Sequence, residues 1–179
     1  MPLLLLIGGA RSGKSGLALQ LAHEQHAPVV FVATGEAGDR EMAARIEHHR
    51  RERPPGWQTI EEPLQLHDTL ASVDEHSCVI IDCLTLWTAN ALERLGAENA
   101  EMQAAVAATR AASRPGLTIA ISNEVGLGLV PDKPLGRSYR DLHGRVNALW
   151  TEQAERAYLL IAGRALPLAR LETTSELLP

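Results

Sequence analysis

The chain has 179 residues, a net charge of −5 and a sequence pI near 5.8, with 45% hydrophobic and 22% charged residues. That length suits one domain with a real core, and the composition is that of a folded globular protein, neither disordered nor fibrous. Only 3% of the residues are aromatic and the charge is acidic, so base stacking and phosphate neutralisation both lack material and nucleic acid is not an expected partner. Apolar runs such as Leu3 to Ile7 are too short to cross a bilayer and follow no basic stretch, so a cytoplasmic protein without a membrane span is expected.

Short runs rich in Val, Ile and Leu alternate with longer helix-like stretches. Leu3 to Ile7 reads as a buried strand that leads through a glycine-rich loop into a helix over Lys14 to His26. A second strand, Val29 to Ala33, precedes the loop Gly35 to Asp39 and a charged helix from Asp39 to Arg53, capped by Asp39 and stopped by Pro54. Beyond the Pro54-Pro55-Gly56 breaker come a weak strand, Trp57 to Glu61, a helix, Leu64 to Ser72, and a strand, Cys78 to Ile81. Helices over Leu84 to Leu95 and Asn99 to Ser113 follow, the alanines from Ala100 to Ala112 being accounted for by helix propensity. The strand Leu117 to Ile121, the long loop Asn123 to Gly136, the helix Ser138 to Glu155, the strand Ala157 to Ile161 and a weak strand Leu166 to Leu171 complete the pattern. This alternation specifies an α/β fold with a mostly parallel sheet covered by helices on both faces and the weak strands at its edges, in a single domain over residues 1–179, and the glycine-rich Gly8 to Ser15 loop between its first strand and first helix makes it one of the P-loop NTPase type. Cys78 and Cys83 fit neither a CxxC spacing nor a plausible disulfide and read as small buried hydrophobes.

Lysine is scarce, two residues against 15 arginines, and one of the two sits in a motif. Gly8-Gly9-Ala10-Arg11-Ser12-Gly13-Lys14-Ser15 matches G-x-x-x-x-G-K-[ST] between a predicted strand and a predicted helix. Glycines let a loop turn its N–H groups inward around a phosphate, and the positive end of the helix behind it adds to the attraction. Lys14 then reaches the β and γ phosphates and the Ser15 hydroxyl takes one Mg²⁺ position. The second metal ligand in such sites is an acid ending a buried strand, which points to Asp82; the same residue could also cap the helix beginning near Leu84.

On the charged helix, Met42, Ile46 and His49 share one stripe, while Glu41, Arg45, His48 and Glu52 share its neighbour. His48 thus has a cation one turn before it and a carboxylate one turn after it, an arrangement that can present an imidazole to a phosphate or simply face solvent. His48 and His49, being adjacent, point about 100° apart and do not make the i, i+4 pair of a zinc site.

Several segments in this order resemble one family over nearly the whole chain. They are Gly8 to Ser15; Ala33-Thr34 leading to Asp39 and Glu41-Met42; Arg45 to Arg50; Asp82-Cys83-Leu84-Thr85; Ser122 to Gly126 with Val130-Pro131; and Arg140-Asp141 with Gly144 to Asn147. The family is the bifunctional adenosylcobinamide kinase / adenosylcobinamide-phosphate guanylyltransferase of cobalamin biosynthesis. The resemblance implies that ATP or GTP phosphorylates adenosylcobinamide and that His48 then accepts GMP from GTP and hands it to adenosylcobinamide phosphate. It also implies nucleotide contacts at Gly8 to Ser15, at Ala33, Thr34 and Gly35, at His49, Arg50, Arg51 and Glu52, at Glu61 or Glu62, and at Asp82, together with a homotrimer. Two features depart from the family pattern: Ala148 where glutamine is frequent, and a longer Ala162 to Pro167 segment. Both bear on the corrinoid side and the subunit edge rather than on the nucleotide. The rival readings are a P-loop kinase of another small molecule and a nucleotide switch; the chain has no N-K-x-D-like guanine motif to support the latter.

Overall fold

The computed structural model describes residues 3–38, 40–51 and 53–169, and all their side chains except those of residues 41, 42, 45, 48 and 49. Seven strands form one sheet: β1 (Leu3–Gly8), β2 (Val29–Ala33), β3 (Gln58–Glu61), β4 (Cys78–Asp82), β5 (Thr118–Asn123), β6 (Arg156–Ile161) and β7 (Arg164–Pro167). Their order is β3-β2-β4-β5-β1-β6-β7, parallel throughout except for the antiparallel pair β6 and β7. Six helices connect them: α1 (Lys14–His23), α2 (Arg40–Arg51), α3 (Leu66–Ser72), α4 (Leu84–Leu95), α5 (Ala97–Ser113) and α6 (Pro134–Gln153).

Strands β1, β2 and β4 are apolar on both faces because both faces are covered. Leu4, Leu6, Phe31, Ile80 and Ile119 pack with Ala18 and Ala22 of α1. Leu3, Leu5, Val30, Val32, Val79 and Ile81 pack on the other face with Leu70, Trp87, Ala91, Leu142 and Trp150 from α3, α4 and α6. The strands therefore read as continuous apolar runs rather than as alternation.

The helix-and-sheet expectation holds, with differences that have local causes. Glu62 Oε1 accepts the N–H groups of Leu64 (2.8 Å) and Gln65 (2.7 Å), so α3 starts two residues later than the periodicity predicts. Pro134 stands at the first turn of α6 and starts it four residues early, shortening the loop after β5. The alanines of α5 are more than a propensity effect: Ala100, Ala104, Ala107, Ala108 and Ala111 are fully buried and let α5 pack closely on α3, α4 and α6. The final strand falls at Arg164–Pro167, because Ala162 (φ 49°) and Gly163 (φ 75°) make a two-residue left-handed turn that folds it back on β6. The expected helix cap Asp39 and the C-terminal end of the expected strand at Leu171 lie outside the described residues. Both weak strands are edge strands, as expected, and Cys78 and Cys83 are buried free thiols.

Candidate active site

Parallel pairing sends the C-terminal ends of β1 to β5 to one edge of the sheet, and the predicted site residues gather there. The loop after β1 turns on Arg11 (φ 56°) and Gly13 (φ 99°), the latter directly preceding α1. Lys14 is buried, and its ammonium donates to the carbonyls of Gly8 (2.8 Å) and Gly9 (2.7 Å) and to Ser12 Oγ (3.3 Å). A cation is thus held in the mouth of the loop, where a phosphate would meet it together with the N-terminal N–H groups of α1. Ser15 is half-buried on the first turn of that helix.

Glycine at position 8 is set by tertiary packing. A Cβ there would lie 2.3 Å from the carbonyl oxygen of Leu160 on β6. The β6–β7 turn also braces the loop directly, since Gly163 N–H donates to the Ser12 carbonyl (3.0 Å). The Ala162 to Pro167 segment therefore touches the phosphate loop, contrary to the expectation that it concerns only the corrinoid side and the subunit edge.

At the end of β2, Thr34 is fully buried, and its hydroxyl donates to the Cys83 carbonyl (2.7 Å) and accepts the Cys83 N–H (2.8 Å). Thr34 N–H bonds the Asp82 carbonyl (3.1 Å), so the ends of β2 and β4 are tied together and Asp82 is held at the edge, half-buried. Ala33 is buried, and Gly35 is packed against Leu86 and Ile46, where a Cβ would come within 3.1 Å of Leu86 Cδ1. Ile46 of α2 is half-buried at this edge beside Gly35. Arg50 pairs with Glu61 (2.7 Å) and Arg51 with Glu47 (3.1 Å), both at the surface. Of the two candidate acids after β3, Glu62 is committed to the α3 turn and Glu61 faces α2.

Arg53 escaped the sequence reading. Its guanidinium lies 3.9 Å from the Phe31 ring centroid and donates to Thr59 Oγ1 (3.2 Å). Burial lowers its pKa, and the negative charge of Asp82 opposes that shift, which places a cation within electrostatic reach of the β4 acid. Nothing in the charged run His48 to Arg53 distinguishes this arginine from its neighbours.

The end of β5 carries a buried polar network in which Asn123 and Asn147 belong to segments that carry the resemblance, while His143 escaped the sequence reading. His143 of α6 is fully buried; its Nε2 donates to the Asn123 carbonyl (2.9 Å), Asn147 Nδ2 donates to the same oxygen (3.2 Å), and Thr88 Oγ1 lies 2.9 Å from Nδ1. A carbonyl only accepts, so a proton on Nε2 faces the Asn123 oxygen, while the Thr88 hydroxyl, which donates to the Leu84 carbonyl (2.7 Å), lies against Nδ1. Tyr139 stacks on the imidazole at 5.7 Å. Burial holds the His143 pKa below the ordinary histidine range, against the Asn123 bond and the Glu124 charge. Asn123 N–H and side chain both bond Thr85 Oγ1 (2.9 and 3.1 Å), and Glu124 N–H reaches the Gly8 carbonyl (3.3 Å).

Comparison with known proteins gives this edge a context. Residues 4–168 match the sequence profile of the cobinamide kinase / cobinamide phosphate guanyltransferase family. The chain belongs to this family. It is 44% identical to the bifunctional adenosylcobalamin biosynthesis protein CobP of Pseudomonas aeruginosa over 170 residues, covering 92% of this chain and 95% of that protein. It is also similar to the proteins of that description, CobU, from Escherichia coli and Salmonella typhimurium, at 36% and 37% identity over 90% of this chain and 96% of each.

For a member of this family, the residues expected to matter divide into three groups. Gly8, Gly9, Ala10, Arg11, Ser12, Gly13, Lys14, Ser15, Ala33, Thr34, Gly35, Glu61, Glu62 and Asp82 all lie at the C-terminal edge of the sheet. His48, His49, Arg50 and Arg51 lie on α2, the side chains of His48 and His49 being outside those described. Glu52 lies outside the described residues. Among the described residues no helix is long and apolar enough to cross a membrane.

Proposed function

We propose that this chain, acting as one nucleotide-binding domain, phosphorylates adenosylcobinamide with ATP or GTP and then transfers GMP from GTP to adenosylcobinamide phosphate, giving adenosylcobinamide-GDP. The family match over residues 4–168 carries this reading. The buried Lys14 within its loop supplies the chemistry. In the kinase step the triphosphate lies along the loop and the N-terminus of α1, and Lys14 moves its bonds from the Gly8 and Gly9 carbonyls to phosphate oxygens, where its charge offsets that developing on the transferred group. The hydroxyl of the aminopropanol arm attacks the γ phosphorus.

The Ser15 hydroxyl and the Asp82 carboxylate are hard oxygen donors at one sheet edge, a set that suits Mg²⁺, which takes few protein ligands beside phosphate oxygens. Bound there, the ion would supply charge neutralisation and orientation of the phosphates.

In the guanylyl step a neutral His48 forms a bond to the α phosphorus of GTP as the bond to the bridging oxygen breaks and pyrophosphate leaves; a phosphate oxygen of adenosylcobinamide phosphate then takes the GMP. An imidazole is mostly neutral at pH 7 and needs no strong base for this role. Arg50 and Arg51 on the same helix would offset phosphate charge by exchanging their Glu61 and Glu47 partners for phosphate oxygens. Nucleoside triphosphates are an intracellular supply, so the enzyme is placed in the cytoplasm, and a homotrimer is proposed because a corrin is large for a chain of this size to enclose. Light scattering that returns the monomer mass at micromolar concentration would remove the trimer.

Incubation with α-labelled GTP tests the covalent step. Wild type and His49→Ala should acquire an acid-labile, base-stable label, whereas His48→Ala should stay unlabelled yet still phosphorylate adenosylcobinamide. A labelled His48→Ala beside a blank His49→Ala would move the nucleophile to position 49. Label unaffected in both would exclude the histidine intermediate.

A further inference from the structure

We propose that Glu124 takes the proton of the acceptor hydroxyl in the phosphoryl-transfer step, as a catalytic residue of the kinase half of the site; this rests on the kinase reading above. Position is the first support. Strand β5 lies between β1, which ends in the phosphate loop, and β4, which ends in Asp82; its register sets Asn123 beside Gly8 and Ile121 beside Asp82. Glu124 is therefore three residues beyond the level of Asp82, which at strand rise is up to about 10 Å farther toward the open side of the edge. An acceptor attacking in line approaches from the side opposite the leaving diphosphate. The carboxylate that meets it should stand beyond the metal-ligating acid, not level with it.

Fixation is the second. The main chain entering Glu124 is held at three points: the Asn123 N–H by Thr85 Oγ1, the Asn123 carbonyl by His143 and Asn147, and the Glu124 N–H by the Gly8 carbonyl. Burying an imidazole and an amide is costly unless both are fully bonded, and here both converge on this one peptide. The result is a main chain for residue 124 locked to the first residue of the phosphate loop.

Availability is the third. Around this edge Glu61 pairs with Arg50, Glu36 with Arg94, and Glu62 caps the α3 turn. Glu124 is half-buried, and its Oε1 accepts the Gly126 N–H. No cation pairs with it among the described residues, which leaves its second oxygen able to accept a hydroxyl. In the step, the acceptor oxygen bonds the γ phosphorus while the bond from phosphorus to the bridging oxygen breaks. The nucleoside diphosphate leaves with that electron pair, and the hydroxyl proton passes to Glu124 and on to water. Guanylyl transfer to a phosphate oxygen has no hydroxyl proton to remove, so the two activities should separate at this residue.

The test uses the full chain, Glu124→Gln and Glu124→Asp, with γ-labelled GTP and adenosylcobinamide for the kinase and α-labelled GTP for protein labelling. Glutamine can still accept the Gly126 N–H, so the melting temperature should not move. Expected for Glu124→Gln is a kcat for phosphoryl transfer down by about 100-fold or more, with KM for GTP within about twofold and labelling at the wild-type rate. Glu124→Asp should recover part of the kcat. Near-normal kinase turnover in Glu124→Gln would overturn the proposal, and so would kinase and labelling falling together, which would make Glu124 a nucleotide-gripping residue. A wild-type protein that labels with GTP but transfers the γ phosphate of neither GTP nor ATP would instead overturn the kinase reading, and the proposal with it.

Discussion

Substituting alanine separately at Gly8 and Gly9 distinguishes a glycine required by packing from one that packing tolerates. At Gly8 the new Cβ would sit 2.3 Å from the Leu160 carbonyl oxygen and 2.9 Å from Ser12 Oγ. A carbon and a carbonyl oxygen rest at about 3.3 Å or more, so β1 and β6 must separate by about 1 Å where Gly8 pairs with Leu160. The obstacle is main chain, which no rotamer change relieves. Overpacking of this kind costs about 1–3 kcal/mol, and the stretched ladder bond adds about 1 kcal/mol, giving about 2–4 kcal/mol. For a domain of this size that lowers the melting temperature by about 4–16 °C. At Gly9 no atom lies within 4 Å of the added Cβ, so Gly9→Ala should melt as wild type does. Thermal unfolding followed by far-UV circular dichroism on both variants is sufficient. Equal melting temperatures for the two would refute the claim that β6 dictates the first glycine of the motif.

Lys14→Ala should abolish both activities by at least about 100-fold, since both need the triphosphate in one cradle, and turnover near normal would end the phosphate-loop assignment. His143 is held neutral by burial, so below its unfolded pKa near 6.5 the unfolded chain binds a proton that the folded chain refuses. Stability should therefore fall as pH drops below that value, by at most about 1.4 kcal/mol per pH unit from this group, and His143→Gln should flatten that part of the curve measured by denaturant titration. Burial pushes both cysteine thiols up to about 11, and at Cys83 the Asp82 charge adds to the effect. Neither should alkylate at pH 8 under native conditions, and both should do so once the chain is unfolded; rapid native alkylation would contradict the packing around β4.

The sequence alone determined the features that depend on local pattern. Alternation of apolar runs and helical stretches specified the parallel sheet, because strands buried on both faces carry no polar alternation. The phosphate loop was legible because its glycines, lysine and serine are contiguous, and the position of Asp82 at the ligand edge was legible because it ends a buried strand. Tertiary structure decided what depends on residues distant in the chain. Glu61 and Glu62 are equivalent in sequence, yet one faces Arg50 while the other caps α3. Arg53 is one arginine of a charged run until the fold sets it over Phe31 and against Thr59, within electrostatic reach of Asp82. His143 looks like an ordinary residue of a helix, and only the crossing of α6 over the end of β5 turns it, with Asn147, on the Asn123 carbonyl. Periodicity records which face of an element is buried, but not which partner meets it there, and a hydrogen bond across 20 or more residues of chain is fixed only once the sheet has set its strand order.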